Sequence, residues 1–254
     1  EVPNVALGFI AGFTGREIQD GVKAQGVETK FIRLEQGLSR INVKIKNAEK
    51  KEETEINAQG PRIPEDKLQE LYEQLEQLTA DDMLVLAGSI PNTLPSDVYE
   101  QIMKRLQSKQ VPIVVDATKD LLKNVLKYHP FLIKPNNFEL GEMFGVTLHS
   151  KEEIVHYAKE LQKLGARNVV VSMAGDGSIL VTEDGEVHQM GVAKGTVKNS
   201  VGAGDSMVAG FVAGYIQKGD YAYALKLGTA AGGATAFSDD LATREKIQET
   251  LKSL

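Results

Sequence analysis

The chain has no cysteine among its 254 residues. That absence removes disulfide frameworks, thiolate zinc sites and thiol nucleophiles together, and it fits a reducing cytoplasm. Histidine is scarce: His129, His149, His156 and His188 lie far apart, without the spacing of metal ligands, so each reads as a surface or capping residue. Positive charge is in deficit as well. A formal net charge of -6 withholds the extended positive field that nucleic acid or an anionic membrane needs, while leaving room for a local cation cluster that binds an anionic small molecule. No apolar run approaches the ~20 residues of a membrane span, and no basic stretch followed by an apolar one marks a signal peptide.

Several phosphate and nucleophile motifs are missing too. No Gly-Lys followed by Ser or Thr occurs, which excludes a P-loop, and neither an HExxH zinc motif nor a GxSxG nucleophile elbow is present. A dinucleotide-binding fingerprint needs a third glycine where this chain has Met207, and it belongs in the first βα unit rather than near the end.

What is present reads as one α/β domain spanning 1–254. Residues 5–11 (VALGFIA) predict a buried strand, and a helix capped by Thr14 follows, burying Ile18 and Val22. "TKFIRLE", "SRINVKIKN" and "ETEINAQG" are short and rich in β-branched residues, with alternation at Ile41, Val43 and Ile45. They predict a small antiparallel sheet inserted at about 27–58. From Pro64 onward helices and strands alternate, beginning with an apolar helix stripe at Leu68, Leu71, Leu75 and Leu78. The later strands are continuous apolar runs, as expected of a mostly parallel sheet with helices on both faces. The end is helical at about 205–217, 221–236 and 243–253.

The stretch at 200–211, "SVGAGDSMVAGF", leads a helix. Val208, Phe211, Val212, Tyr215 and Ile216 give it a core face, and Ala209, Gly210, Ala213 and Gly214 give it a face of small residues. Asp205 stands at its start. One reading makes it an N-cap, favoured by the helix dipole. The other notes that small residues at a helix N-terminus leave backbone N–H groups for a phosphate, beside a carboxylate able to accept a hydroxyl proton.

The motif resembles the signature of the ribokinase-like, or PfkB, sugar kinases, in which a GAGD segment carries the catalytic aspartate. "IKPNNFE" is similar to that family's NxxE motif, here Asn136 and Glu139; "SMAGDG" is similar to its Ser/Thr-x-x-Gly-x-Gly turn; "AGSIP" resembles its substrate-side SGSLP segment, with Ala87 in place of serine. The motifs come in family order along essentially the whole chain. The resemblance implies a three-layer ribokinase-like fold, with the β appendage as a lid over the sugar. It implies Asp205 as base, with Gly202, Ala203 and Gly204 cradling the transferring phosphoryl group. It places ATP near Lys134, Asn136, Ser172, Gly175, Gly177, Gly204, Thr229, Gly233 and Ser238, and Mg2+ at Glu139.

Within the family, "SRINVKIK" and "ETEINAQGP" most resemble the 1-phosphofructokinase and tagatose-6-phosphate kinase branch. A phosphorylated sugar needs a cation in the lid, and Arg40 is the best candidate, with Asn42 and Lys44 along the same strand face and Ser89 on the adjoining loop. The implied reaction is ATP-dependent phosphorylation of fructose 1-phosphate, with tagatose 6-phosphate or fructose 6-phosphate as alternative acceptors. A nucleotide-binding regulator with little catalysis is the alternative of another class. Lids of this kind also serve as homodimer surfaces in related proteins. One departure stands out: the family's early Asn-x-x-x-Asp and GGKG segments do not occur. A molecule lacking them would lose a central strand, part of the lid and a sugar-binding aspartate, and would show weak activity and an exposed sheet edge.

Overall fold

The structure, a computed structural model, describes residues 2–47 and 52–254. Residues 48–51 of the expected lid lie outside the described residues. The chain forms two compact units, one of Pro3–Leu78 with Ser89–Val98 and one of Thr79–Gly88 with Tyr99–Leu254.

The first unit contains β1 (Val5–Ala6), β2 (Phe9–Ala11), α1 (Gly12–Ala24), β3 (Glu28–Thr29), β4 (Ile32–Leu34), β5 (Asn42–Asn47), β6 (Glu52–Asn57) and α2 (Glu65–Leu75). The expected strand at 5–11 is broken at Leu7–Gly8, where Gly8 takes φ +148°. β1 pairs with β3 and β2 with β4, both parallel. "TKFIRLE" is therefore the return strand of a βαβ unit, and the antiparallel insertion shrinks to the β5–β6 hairpin, because a parallel partner needs a crossover and α1 supplies it.

α1 also corrects its prediction. It starts at Gly12, with Ala11 at the N-cap position and no side-chain cap. Thr14 is buried inside the first turn and donates its hydroxyl proton to the Ser39 carbonyl at 2.9 Å. Ile18 is exposed and Val22 half-buried, since the helix packs through its smallest residues: a Cβ on Gly15 would stand 2.9 Å from Ile10 Cβ. Ala11, Leu34 and Ile63 form the local core, with Phe9 and Leu94 against it. α2 buries Leu68, Tyr72 and Leu75, one face at helical spacing.

The second unit contains β7 (Leu84–Ala87), α3 (Val98–Leu106, whose first residue still belongs to the other unit), β8 (Ile113–Asp116), α4 (Lys119–Val125), β9 (Leu132–Ile133), α5 (Asn137–Phe144), α6 (Lys151–Lys163), β10 (Asn168–Ser172), β11 (Ser178–Val181), β12 (Val187–Met190), α7 (Ala203–Lys218), α8 (Tyr221–Ala236) and α9 (Arg244–Ser253). Its six-stranded sheet runs β12-β11-β10-β9-β8-β7. The pairs from β7 to β10 are parallel, whereas β10–β11 and β11–β12 are antiparallel, so the sheet is mixed. β8, β10 and β11 are almost wholly buried, as strands covered on both faces must be, while the edge strand β7 alternates buried and exposed.

α7 and α8 meet through glycine. A Cβ on Gly210 would come within 2.8 Å of both Ala231 Cβ and the Leu227 carbonyl, and one on Gly214 within 2.9 Å of Ala224 Cα. Of the small-residue face predicted from sequence, Gly210 and Gly214 make this contact, while Ala209 is exposed. Met207, Val208 and Phe211 enter the main core, but Ile216 is exposed, outside the face assigned to it.

Candidate functional site

The C-terminal ends of the parallel strands gather the chemistry of the larger unit. Val114 pairs with Leu132 and Val115 with Ile133. One step further along that register, Asp116 and Lys134 project to the same face, and the Lys134 Nζ lies 3.4 Å from Asp116 Oδ1. Lys134 is only 9% exposed and Asp116 only 17%. Burial raises the Asp116 pKa above its ordinary value; Lys134 pulls it down, and Asp205 and Glu139 push it up. Those interactions bring Asp116, Lys134, Glu139 and Asp205 into one electrostatic neighbourhood.

The helix carrying Asp205 begins earlier than its apolar spacing predicts. Gly202 is the N-cap residue, at φ 76°, and Ala203 is the first helical residue. Asp205 therefore sits in the first turn and caps nothing, which frees its exposed carboxylate from the role that local sequence favoured. The backbone angle of Gly202 is what calls for glycine there, since the Leu241 Cδ2 that a Cβ would meet at 2.7 Å is the tip of an exposed side chain. The Ala203 N–H donates to the Ser200 carbonyl at 3.3 Å, removing it from the expected cradle. The amides of Gly204 and Asp205 remain first-turn donors of the helix. Lys134 is their neighbour: its Nζ lies 3.3 Å from where a Gly204 Cβ would be.

Asn136 caps α5. Its side-chain oxygen accepts from the Glu139 N–H at 2.8 Å, while Glu139 Oε2 accepts from the Asn136 N–H at 2.8 Å, a reciprocal capping box. Asn136 also bridges to Ser172 at the end of β10, so two residues proposed for the nucleotide meet across adjacent strands. Among the described residues no group of three or more His, Asp or Glu side chains forms a metal cluster. Glu139 within a negative field suits instead a magnesium ion held mostly by phosphates and water, which asks only one or two carboxylates of the protein.

The remaining nucleotide candidates differ in what they offer. Gly175 faces open space. Gly177 has φ +88° and would place a Cβ 2.1 Å from the Met190 carbonyl, so the β-sheet itself requires it. Thr229 is buried; its hydroxyl donates to the Leu225 carbonyl at 2.8 Å and lies 2.7 Å from Ser178 Oγ. Ser238 donates to the Ala234 carbonyl at 2.8 Å, and Gly233 packs beside Ala193 and Phe237. Thr229 is thus committed inside the helical layer, while Gly233 and Ser238 are half-buried.

The smaller unit holds a cavity of about 300 Å³. Arg40, Asn42 and Asn57 line it with Gln59, Ser89 and Asn92. Asn42 and Asn57 are directly paired across the β5–β6 hairpin, which places both amides on one face. One cation among amides and a hydroxyl is the donor set for a phosphate and several sugar hydroxyls. Lys44, expected beside Arg40, pairs with its cross-strand partner Glu55 at 2.9 Å and does not line the cavity. Sequence reading missed Asn57, Gln59 and Asn92, and it missed Asp116. The last had a signal: a carboxylate closing an apolar strand, where open α/β sheets bind ligands.

The mixed sheet flanked by helices is the ribokinase-like fold of carbohydrate kinases, and a buried cation stands near an exposed carboxylate at its glycine-opened helix. The chain belongs to the pfkB family of carbohydrate kinases, whose model matches residues 3–246. It is similar to the 1-phosphofructokinase of Bacillus subtilis, 45% identical over 250 residues, 98% of this chain and 81% of that one. It is 35% identical to the D-tagatose-1-phosphate kinase of Bacillus licheniformis over 252 residues, 99% and 81% of the two chains. Among solved structures, a candidate phosphofructokinase of Staphylococcus aureus matches with a TM-score of 0.89 and 40% identity over 99% of this chain and 81% of its own. The relatives are phosphotransferases acting on an alcohol group, the family's kinase chemistry uses ATP, and no described helix is long and apolar enough to cross a membrane.

Proposed function

We propose that the protein transfers the γ-phosphoryl group of ATP to fructose 1-phosphate, forming fructose 1,6-bisphosphate. The observation that carries this reading is the start of α7, where Asp205 shares the first turn with Gly204 and the Lys134 ammonium lies against that glycine. Asp205 accepts the proton of the attacking hydroxyl. The amides of Gly204 and Asp205, with Lys134, face the charge that develops on the transferring group. Magnesium held by Glu139 and the ATP phosphates supplies further charge neutralisation when bound.

Gly175 and Gly177 with Ser172 and Asn136 serve the nucleotide, while Thr229, Gly233 and Ser238 shape its surroundings through the packing of α8. Arg40 takes the phosphate already on the sugar, and Asn42 and Ser89 take its hydroxyls. An ATP-consuming chain without cysteine fits the cytoplasm.

The hairpin has a second face. Val43 and Ile56 are paired across it and exposed, with Ile41 and Ile45 beside them. A second copy of the chain covering this strip would form a homodimer; Val43→Glu should then shift the enzyme to monomer in sedimentation, and a monomeric wild type overturns that assembly.

A coupled ADP-release assay on the full-length enzyme tests the reaction across fructose 1-phosphate, tagatose 1-phosphate, fructose 6-phosphate and tagatose 6-phosphate. Highest kcat/KM with fructose 1-phosphate supports the proposal. Preference for tagatose 1-phosphate, favoured by the Bacillus licheniformis relative, reassigns the acceptor. ATP binding without turnover on any of them rejects the kinase reading.

A further inference from the structure

The chain leaves the larger unit after Gly88 and re-enters it at Tyr99. The segment between carries Ser89, Ile90, Pro91 and Asn92 of the Arg40 cavity. Tyr99, buried in the first turn of α3, donates its hydroxyl proton to the Ala87 carbonyl at 2.8 Å and shares it with the Gly88 carbonyl at 3.2 Å. Its acceptors are the last two residues before the cavity segment.

Gly88 is held from its other side as well, since its N–H donates to the Asp116 carbonyl at 3.2 Å. It sits at φ +87°, and nothing lies within 4 Å of where its Cβ would be. The glycine is there for its backbone angle and not for room. The turn is therefore set by a conformation that an L side chain resists, and clamped between a strand carbonyl and a phenol. Burial, and after it the Asp116 carboxylate, push the Tyr99 pKa up to about 12, so the hydroxyl keeps its proton at neutral pH.

A buried tyrosine needs some acceptor, and a lone carbonyl would satisfy it. This one instead spans the two carbonyls at the exit of β7, beside the Asp116 backbone. We propose that Tyr99 is a positioning residue for acceptor binding: its hydroxyl fixes the backbone from which Ser89–Asn92 departs and so sets the cavity's hydroxyl and amide donors. Tyr99 itself touches no substrate. The functional half of this inference rests on the cavity being the phosphosugar site.

Tyr99→Phe in the full-length enzyme tests it, because phenylalanine fills the same volume and removes only the donor. Amide hydrogen exchange at Gly88, whose N–H is held by the Asp116 carbonyl, should quicken about tenfold, with β10 and α8 unchanged. KM for fructose 1-phosphate should rise by a similar factor, while KM for ATP and kcat stay within about twofold. Unchanged exchange at Gly88 overturns the proposal, as does an equal rise in both KM values. Should the wild-type enzyme phosphorylate no sugar phosphate, the acceptor reading fails by itself, and the exchange result still decides whether the Tyr99 hydroxyl holds the turn.

Discussion

Lys134 and Asp116 form a buried ion pair, 3.4 Å apart, at the ends of neighbouring parallel strands. The pair lies beneath the Gly204 turn of α7 and within the field of Asp205 and Glu139. It makes the helix start a site with a charge balance of its own, and each of its members responds differently to substitution.

Asp116 should titrate above the ordinary aspartate range, because burial outweighs the Lys134 attraction. A carboxyl whose folded pKa exceeds its unfolded one favours the fold fully below the unfolded value, and that contribution is lost as pH rises through the folded value. Lys134→Met should raise the Asp116 pKa further and cost about 3 kcal/mol of stability at neutral pH, as loss of one partner of a buried pair does. Carbon-detected NMR titration and urea unfolding check both; an Asp116 pKa at or below that of an ordinary solvated aspartate contradicts the burial argument.

Gly204→Ala separates stability from turnover. Alanine gains up to about 1 kcal/mol over glycine in a helix interior and less in the first turn, and the new Cβ meets the buried Lys134 ammonium, at 3.3 Å. The melting temperature should change little, the helix gain offset by strain on the Lys134–Asp116 pair, while kcat falls about tenfold through displacement of the ammonium. A variant with normal kcat shows that Lys134 is not needed where it stands.

Asp205→Asn should leave ATP affinity nearly unchanged, measured by calorimetry, and lower kcat by about two to four orders of magnitude. Its exposed place in the first turn of α7 makes a large loss of stability unexpected. Near-normal turnover would remove Asp205 from the role of base.

Arg40→Ala should raise KM for the phosphosugar at least about tenfold with KM for ATP little changed, since a guanidinium–phosphate contact is charge-assisted. Arg40→Lys should restore part of the loss, because lysine keeps the charge but not the planar fork. Equal effects on the two substrates would contradict phosphate binding in the cavity it lines.

Sequence order alone determined the family and the run of alternating helices and strands, and it nominated candidates for the chemistry such as Asp205 and Arg40. Those features follow from local pattern: apolar spacing, capping residues, and glycine beside a carboxylate. The chain itself could not decide whether "TKFIRLE" would join the antiparallel insertion or run parallel to the strand residues of 5–11, because pairing is settled by the crossover helix and not by the strand's own alternation. Nor could it show that Gly202, and not Asp205, occupies the N-cap position, a choice made by the left-handed turn against Leu241. Lys134 reads equally well as a solvated lysine until β8 and β9 come into register and bury it beside Asp116. The same holds for Tyr99, which is one aromatic in an amphipathic helix until the fold sets its hydroxyl against the last two carbonyls of the β7 exit. Residue type fixed which chemistry was on offer; long-range pairing and burial decided which groups stay charged, which donors are spent in the core, and which are left for a ligand.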